Sequence, residues 1–191
     1  MSQADAQILA LVDAALAESR RRAGPWIACR AGCAGCCHAA FPITALDVQR
    51  LERGLAGLAP AEAEAIRARA RLYVDLIRDT FPGDWAAGRL DPNEEWRDWF
   101  FARWQGRAAC PALDETSGEC LLYEHRPVAC RLYGHLIQIG ETRPGQCHLC
   151  FAGAPPAALE AARVRIDPAA VDESSLPGGG QTLVAFALLT R

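Results

Sequence analysis

Apolar residues recur along the start of the chain at the spacing of an amphipathic helix. Ile8, Val12 and Leu16 follow one another a turn apart, Leu9 widens the same stripe, and the pattern predicts a helix over about residues 4–22. Thr44 can cap a second helix carrying Leu46, Val48, Leu51 and Leu55. Pro60 stands where a third begins, and "AEAEAIRARARLYVDLIRD" places Ile66, Tyr73 and either Leu76 or Ile77 on one side. These two are expected to pair as a helical hairpin. "PGDWAAGRLDPN" has the composition of a turn or linker, Asn93 can cap "EEWRDWFFARWQ", and "QGRAAC" ends that helix. Near the end, "PPAALEAARVRI" reads as a helix, "DESSLPGGGQ" as a flexible loop, and "TLVAFALLTR" as a short terminal helix or strand.

Between Cys110 and Phe151 the pattern changes. Pro, Gly and Cys punctuate apolar scraps such as "CLLYEH" and "GHLIQIG" that are too short for long helices, so this segment needs something besides a large core of its own to hold it. A chain of 191 residues, half of them hydrophobic, can bury one substantial core. The expectation is a mostly α protein, a single helical domain over residues 1–191, with a loop-rich cysteine cluster occupying about residues 29–150 and helical extensions on both sides.

Charge narrows the function classes. A formal net charge of −3 lacks the basic excess of a nucleic-acid binder. All 20 basic residues are arginine, which removes Schiff-base and Walker-lysine chemistry. The opening helix has its arginines at the far end, the reverse of a secretory signal, and no apolar run approaches the roughly 18 residues of a membrane span. A cytoplasmic protein with neither a nucleic-acid nor a membrane partner is expected.

The cysteines carry the chemistry. All nine fall in two windows: Cys29, Cys33, Cys36 and Cys37, then Cys110, Cys120, Cys130, Cys147 and Cys150. Thiols that merely filled a core would be scattered through the helices. A disulfide framework suits small exported chains, whereas this count is odd and the domain is large enough not to need stapling. Cys36 and Cys37 are also too close to bond to each other, since adjacent Cα atoms lie about 3.8 Å apart and an ordinary disulfide spans about 4.4–6.8 Å.

Metal binding fits better, because a soft ion gathers thiolates at about 2.3 Å for zinc and two cysteines separated by two residues present both sulfurs from one turn. Cys33-Ala-Gly-Cys36 and Cys147-His-Leu-Cys150 both have that spacing. Gly32 and Gly35 each precede a cysteine, where a positive φ would turn backbone N–H groups toward sulfur. Nine thiols exceed the four that one tetrahedral ion takes, so two zinc or iron ions, or one iron–sulfur cluster with spare ligands, are expected. Cys29, Cys33 and Cys36 also show the C-x3-C-x2-C spacing of radical S-adenosylmethionine enzymes. The chain lacks their βα alternation, and Gly35 stands where they usually carry an aromatic residue.

With "CRAGCAGCC" and "CPALDETSGECLLYEHRPVACRLYG" both in view, the sequence resembles the YkgJ-like cysteine-cluster family of zinc- or iron-chelating domains. Cys33, Cys36 and Cys37 match its C-x-x-C-x-x-C-C stretch, Cys110 and Leu113 its next block, and Cys120, Leu122, Tyr123, Arg126, Pro127, Cys130 and Arg131 its Cys-x-(Ile/Leu)-Tyr-x-x-Arg-Pro-x-x-Cys-Arg motif. Cys147 stands where a further cysteine often follows. The first interval here is three residues where two is common, and Cys150 rests on its spacing to Cys147. The resemblance covers roughly residues 29–150 and implies metal binding, not a reaction. Some larger members resemble flagellin lysine methylases, but this chain shows no glycine-rich nucleotide loop for a methyl donor.

Other residues fit around this reading. His38, His125, His135 and His148 each lie within five residues of a cysteine, and His38 and His148 are the ones to test as additional ligands. Arg131, beside Cys130, and Arg126 can offset the negative charge that four thiolates leave on a divalent ion. Trp85, Trp96, Trp99, Phe100, Phe101 and Trp104 form a stripe read as core packing. The sequence thus points to a binding or structural module that holds zinc or iron, with a protein partner as one use of the ion. An iron-dependent enzyme and a zinc–thiolate redox switch use the same residues.

Overall fold

In the computed structural model, which describes residues 3–30, 32–141, 145, 147–171 and 180–189, the helix periodicities become α1 (Gln3–Ala23), α2 (Ala45–Ala56), α3 (Pro60–Ile77) and α4 (Glu94–Trp104), followed by the short α5 (Val128–Leu132), α6 (Pro156–Ala162) and α7 (Val184–Ala187). The strands among the described residues are only two or three residues long: β1 (Gly83–Asp84), β2 (Arg89–Leu90), β3 (Leu113–Asp114), β4 (Glu119–Cys120), β5 (Ile137–Ile139) and β6 (Val164–Ile166). β1–β2 and β3–β4 are antiparallel hairpins, and β5–β6 is a parallel pair. The fold is mostly helical with a loop-rich cysteine region, as the pattern predicts. No described helix is long and apolar enough to cross a membrane.

The chain divides into two compact units, one within Met1–Ala31 and Val128–Ser175, the other within Gly32–Pro127 and Leu176–Arg191. In the first, α1 buries Ile8, Val12, Ala15 and Ser19 against α5, α6 and the β5–β6 pair. The small Ala15 and Ser19 let these neighbours approach, so the buried line runs through them while Leu9 and Leu16 stay half-buried. His135 is buried here, its Nδ1 3.2 Å from the Ser19 hydroxyl. Burial, with the Arg20 charge nearby, lowers its pKa to about 4, which makes it a neutral packing histidine.

In the second unit, Thr44 caps α2 through a reciprocal capping box with Asp47, whose other oxygen pairs with the buried Arg50. Leu51 and Leu55 of α2 and Ile66 of α3 join Ile43, Leu122 and Leu188 in one apolar cluster. The expected α2–α3 hairpin is thus mediated, because α7 packs against both helices. α7 also decides between the helix and strand readings of the terminal segment, leaving only Thr182 in a lone antiparallel bridge with Ile43. A second cluster joins Tyr73, Val74, Ile77, Phe81, Leu90, Phe100 and Leu183. Ile77 takes the inward position on α3 and Leu76 lies outside.

The aromatic stripe is core only in part. Phe100 is fully buried, and Trp104 donates from Nε1 to the Thr80 hydroxyl at 2.9 Å. Trp96 and Trp99 are 42% and 51% exposed, a correction that follows from the narrow inner face of an eleven-residue helix. The turn composition after Phe81 becomes the β1–β2 hairpin. The loop read in "DESSLPGGGQ" lies mostly outside the described residues.

Candidate metal centre

The segment that follows Ala31 is too rich in glycine and cysteine for a helix, and it forms an open loop closed by one 3-10 turn over Gly35–His38. Of the two glycines, Gly32 adopts φ +76°, whereas Gly35 opens the 3-10 turn and does not take positive φ. Cys36 and Cys37 therefore sit on consecutive positions of one tight turn.

Backbone hydrogen bonds bring this loop to a region seventy residues further on. Cys110 N–H donates to the Cys37 carbonyl at 2.6 Å, and Gly106 N–H donates to the His38 carbonyl at 2.7 Å. The β3–β4 hairpin then returns Cys120 beside Ala112 and Leu113, with Leu121 N–H donating to Ala112 O at 2.8 Å. Gly118, at φ +74°, lies so close to the loop that a β-carbon on it would stand 2.7 Å from the Gly32 carbonyl oxygen. Only glycine permits both that backbone conformation and that approach. Cys110 and Cys120 pack against the α2–α3–α7 cluster, so the hairpin is seated on the core.

Four sulfurs consequently interact. The Cys37 thiol donates to Cys36 and holds the Cys36 pKa at about 6. The same bond raises Cys37, as do burial and the neighbouring Cys36, Cys110 and Cys120 charges. Burial pushes Cys110 up to about 12 and raises Cys120. Opposing these penalties, the Ala112 N–H bonds to the Cys110 sulfur and the Leu122 N–H to the Cys120 sulfur, in each case from two residues further along. Paired i to i+2 N–H···S bonds favour thiolate over thiol. Cys33, three residues before Cys36 on the same loop, is half-buried.

Cations surround this group. Arg126 lowers both Cys36 and Cys120 while its guanidinium lies 3.5 Å over the Tyr123 ring and its Nε donates to the Tyr123 carbonyl. Arg69 of α3 acts likewise on Cys110 and donates from Nε to the Pro111 carbonyl at 2.8 Å. Its Nη2 is buried without an acceptor among the described residues. An uncompensated buried guanidinium nitrogen beside cysteines fits a centre that is anionic when loaded. Sequence reasoning missed Arg69 and Tyr73, whose hydroxyl is raised to about 12 by burial and the Cys110 charge. Their four-residue spacing on one α3 face was the available signal. Arg131 pairs with Asp13 at 3.0 Å.

The remaining thiols lie in the other unit. Cys147 and Cys150 flank one turn, closed by Cys150 N–H to Cys147 O at 3.1 Å, with their side chains hydrogen-bonded. Cys29 lies just beyond the turn at Trp26, and Cys130 lies on α5. All nine cysteines are thiols. Of the histidines, His125 packs against Gly54 and His148 is exposed. Among the described residues, no three His, Cys, Asp or Glu side chains already stand as the ligands of one ion.

A family model, CxxCxxCC, described as "Putative zinc- or iron-chelating domain", matches residues 28–150. No curated protein and no solved structure matches the chain.

Proposed function

Since the chain belongs to the CxxCxxCC family of zinc- or iron-chelating domains, we propose that Cys36, Cys37, Cys110 and Cys120, with Cys33 beside them, hold a soft metal ion and that the protein acts as a binding or structural module. The observation that carries this reading is the N–H···S pattern. Backbone donors two residues beyond Cys110 and Cys120 aim at sulfurs that burial alone would keep protonated. Such donors share the charge of a metal thiolate and are of little use to a buried neutral thiol. Arg126 and Arg69 offset the charge that four thiolates leave around a divalent ion.

Cys36, Cys37, Cys110 and Cys120 would hold the ion as thiolates, so uptake would release their thiol protons. Zinc would supply a closed structural site there, and iron or an iron–sulfur cluster would supply electron-transfer chemistry. The chain's own part is to seat Cys110 and Cys120 on the helical core, bring the 32–38 loop to them and surround the sulfurs with N–H donors and guanidinium. A module of this kind stores or delivers the ion, or uses it to shape a surface for a protein partner, in the reducing cytosol where its thiols persist.

Anaerobic purification followed by elemental analysis and an absorption spectrum tests the reading. Colourless protein with bound zinc supports the structural module. Brown protein absorbing near about 400 nm moves the assignment to an iron–sulfur centre, and with it toward the enzyme class. Metal-free protein that takes up neither ion refutes both.

The hydrogen-bonded Cys36–Cys37 pair favours one second reading, a redox switch in which oxidation of either sulfur releases zinc. Zinc release on peroxide treatment, reversed by dithiothreitol, would support it, and retention of zinc would dismiss it.

A further inference from the structure

The Cys147–Cys150 turn is held by contacts from two other segments of its unit. Gly134 lies beneath it at φ +84°, where a β-carbon would come within 3.0 Å of Cys147 Cβ and 3.2 Å of Cys150 Sγ. Gly134 N–H donates to Gly145 O at 3.1 Å, which pins the chain before the knuckle to the turn after α5. Phe151 N–H donates to the Trp26 carbonyl at 2.7 Å, and the Ala28 and Cys29 N–H groups bond to the Cys150 sulfur. Phe151 itself is held at φ +58°, a left-handed conformation that a phenylalanine adopts only under constraint.

Three separate segments thus meet at one sulfur pair: the 26–29 stretch, the turn after α5, and the knuckle. Two of them bring further cysteines. Cys29 supplies one of the N–H donors to Cys150, and Cys130 lies on α5, four residues before Gly134 in the turn that follows it. The knuckle thus combines two backbone donors on one sulfur, a glycine whose missing β-carbon would collide with Cys147 Cβ and Cys150 Sγ, and a strained residue at its exit, an arrangement suited to a thiolate.

We infer that this unit carries a second, independently occupied thiolate site, in which Cys29, Cys147 and Cys150, with Cys130 as the fourth ligand, take one zinc-class divalent ion. The inference rests on the metal-binding reading above but assigns a different ion to a different unit. Four cysteines satisfy a tetrahedral zinc completely, so this site is closed and structural. It holds the loop-rich stretch after α5, whose strands are only three residues long.

The test uses the full chain, stripped and reloaded with zinc under anaerobic conditions, in three forms: wild type, Cys36→Ser/Cys37→Ser and Gly134→Ala. Native mass spectrometry counts bound zinc, and iodoacetamide labelling with peptide mapping reads each thiol. Two zinc ions on the wild type, one retained by Cys36→Ser/Cys37→Ser, and zinc-dependent protection of Cys29, Cys130, Cys147 and Cys150 in both are expected. Gly134→Ala keeps every thiol and should lose only the protection of these four. A wild type that binds one ion, lost in Cys36→Ser/Cys37→Ser, with Cys147 and Cys150 labelled equally fast with and without zinc, overturns the second site and leaves the first standing. No zinc on the wild type overturns both. Because labelling of the wild type decides the matter alone, a variant that fails to fold does not.

Discussion

Gly118→Ala is the sharpest perturbation of the proposed centre, because it leaves every sulfur in place. Gly118 and Gly106 have nearly the same backbone, at φ +74° and +73°, and a β-carbon in that left-handed region costs roughly 1–2 kcal/mol at either position. Their surroundings differ. At Gly106 nothing lies within 4 Å of the added carbon, whereas at Gly118 the Gly32 carbonyl oxygen lies 2.7 Å away and the Gly32 carbonyl carbon 3.3 Å. These obstacles are backbone, so the 32–38 loop and the β3–β4 hairpin must separate. Overpacking of this kind costs about 1–3 kcal/mol.

The backbone strain is present in both the free and the loaded chain and cancels in binding, but the collision opposes the closure that the ion requires. Gly118→Ala is therefore expected to weaken zinc binding about tenfold to a hundredfold, each factor of ten corresponding to about 1.4 kcal/mol. Gly106→Ala should stay within about threefold of wild type while losing a similar increment of folding stability to strain. Competition against a chromophoric chelator gives the affinities, and urea unfolding gives the stabilities. Equal zinc affinities for the two variants would refute the argument that loop and hairpin close together on the ion.

Three further outcomes follow. Burial raises Cys110 from its ordinary value near 9 to about 12, so the metal-free fold has this contribution in full below about pH 9 and loses it as pH rises toward 12; urea midpoints should fall across that window in stripped protein, and less steeply in Cys110→Ala, where the other raised thiols and Tyr73 still titrate. His135 is held neutral by burial at about 4 against an ordinary 6.5, so up to about 3 kcal/mol disappears as pH falls from 6.5 to 4; acid titration of unfolding should show that loss in wild type and not in His135→Gln. Asp47→Ala removes the half of the α2 capping box that accepts the Thr44 N–H, together with an ion-pair partner of the buried Arg50, with an expected cost of about 3–5 kcal/mol in chemical denaturation.

Helix ends were legible where one side chain decides them: Thr44 and Asn93 cap α2 and α4, and Pro60 opens α3, each where the sequence places it. The inner face was legible in α3 up to the choice between Leu76 and Ile77, which depends on tertiary neighbours. Trp96 and Trp99 misled because aromatic content outweighed a shallow periodicity, and exposure is decided by what packs opposite. At the site, spacing identified the cysteines but not their companions. Arg69 comes to Cys110 through the packing of α3 against the 110–113 turn, a contact forty residues apart in sequence that no local pattern records. The closeness of Gly118 to the Gly32 carbonyl is likewise a tertiary contact that no local pattern records.

Most depends on the sulfurs of Cys36, Cys37, Cys110 and Cys120 being thiolates on a metal. X-ray absorption at the zinc or iron edge, on the anaerobically purified chain, tests it most directly. In a Cys147→Ser/Cys150→Ser background, where only this site takes up the ion, the expected first shell is dominated by sulfur, at about 2.3 Å for zinc, and is markedly depleted when Cys110→Ser/Cys120→Ser is added. A shell of nitrogen and oxygen alone, or a spectrum unchanged by that double substitution, would contradict it.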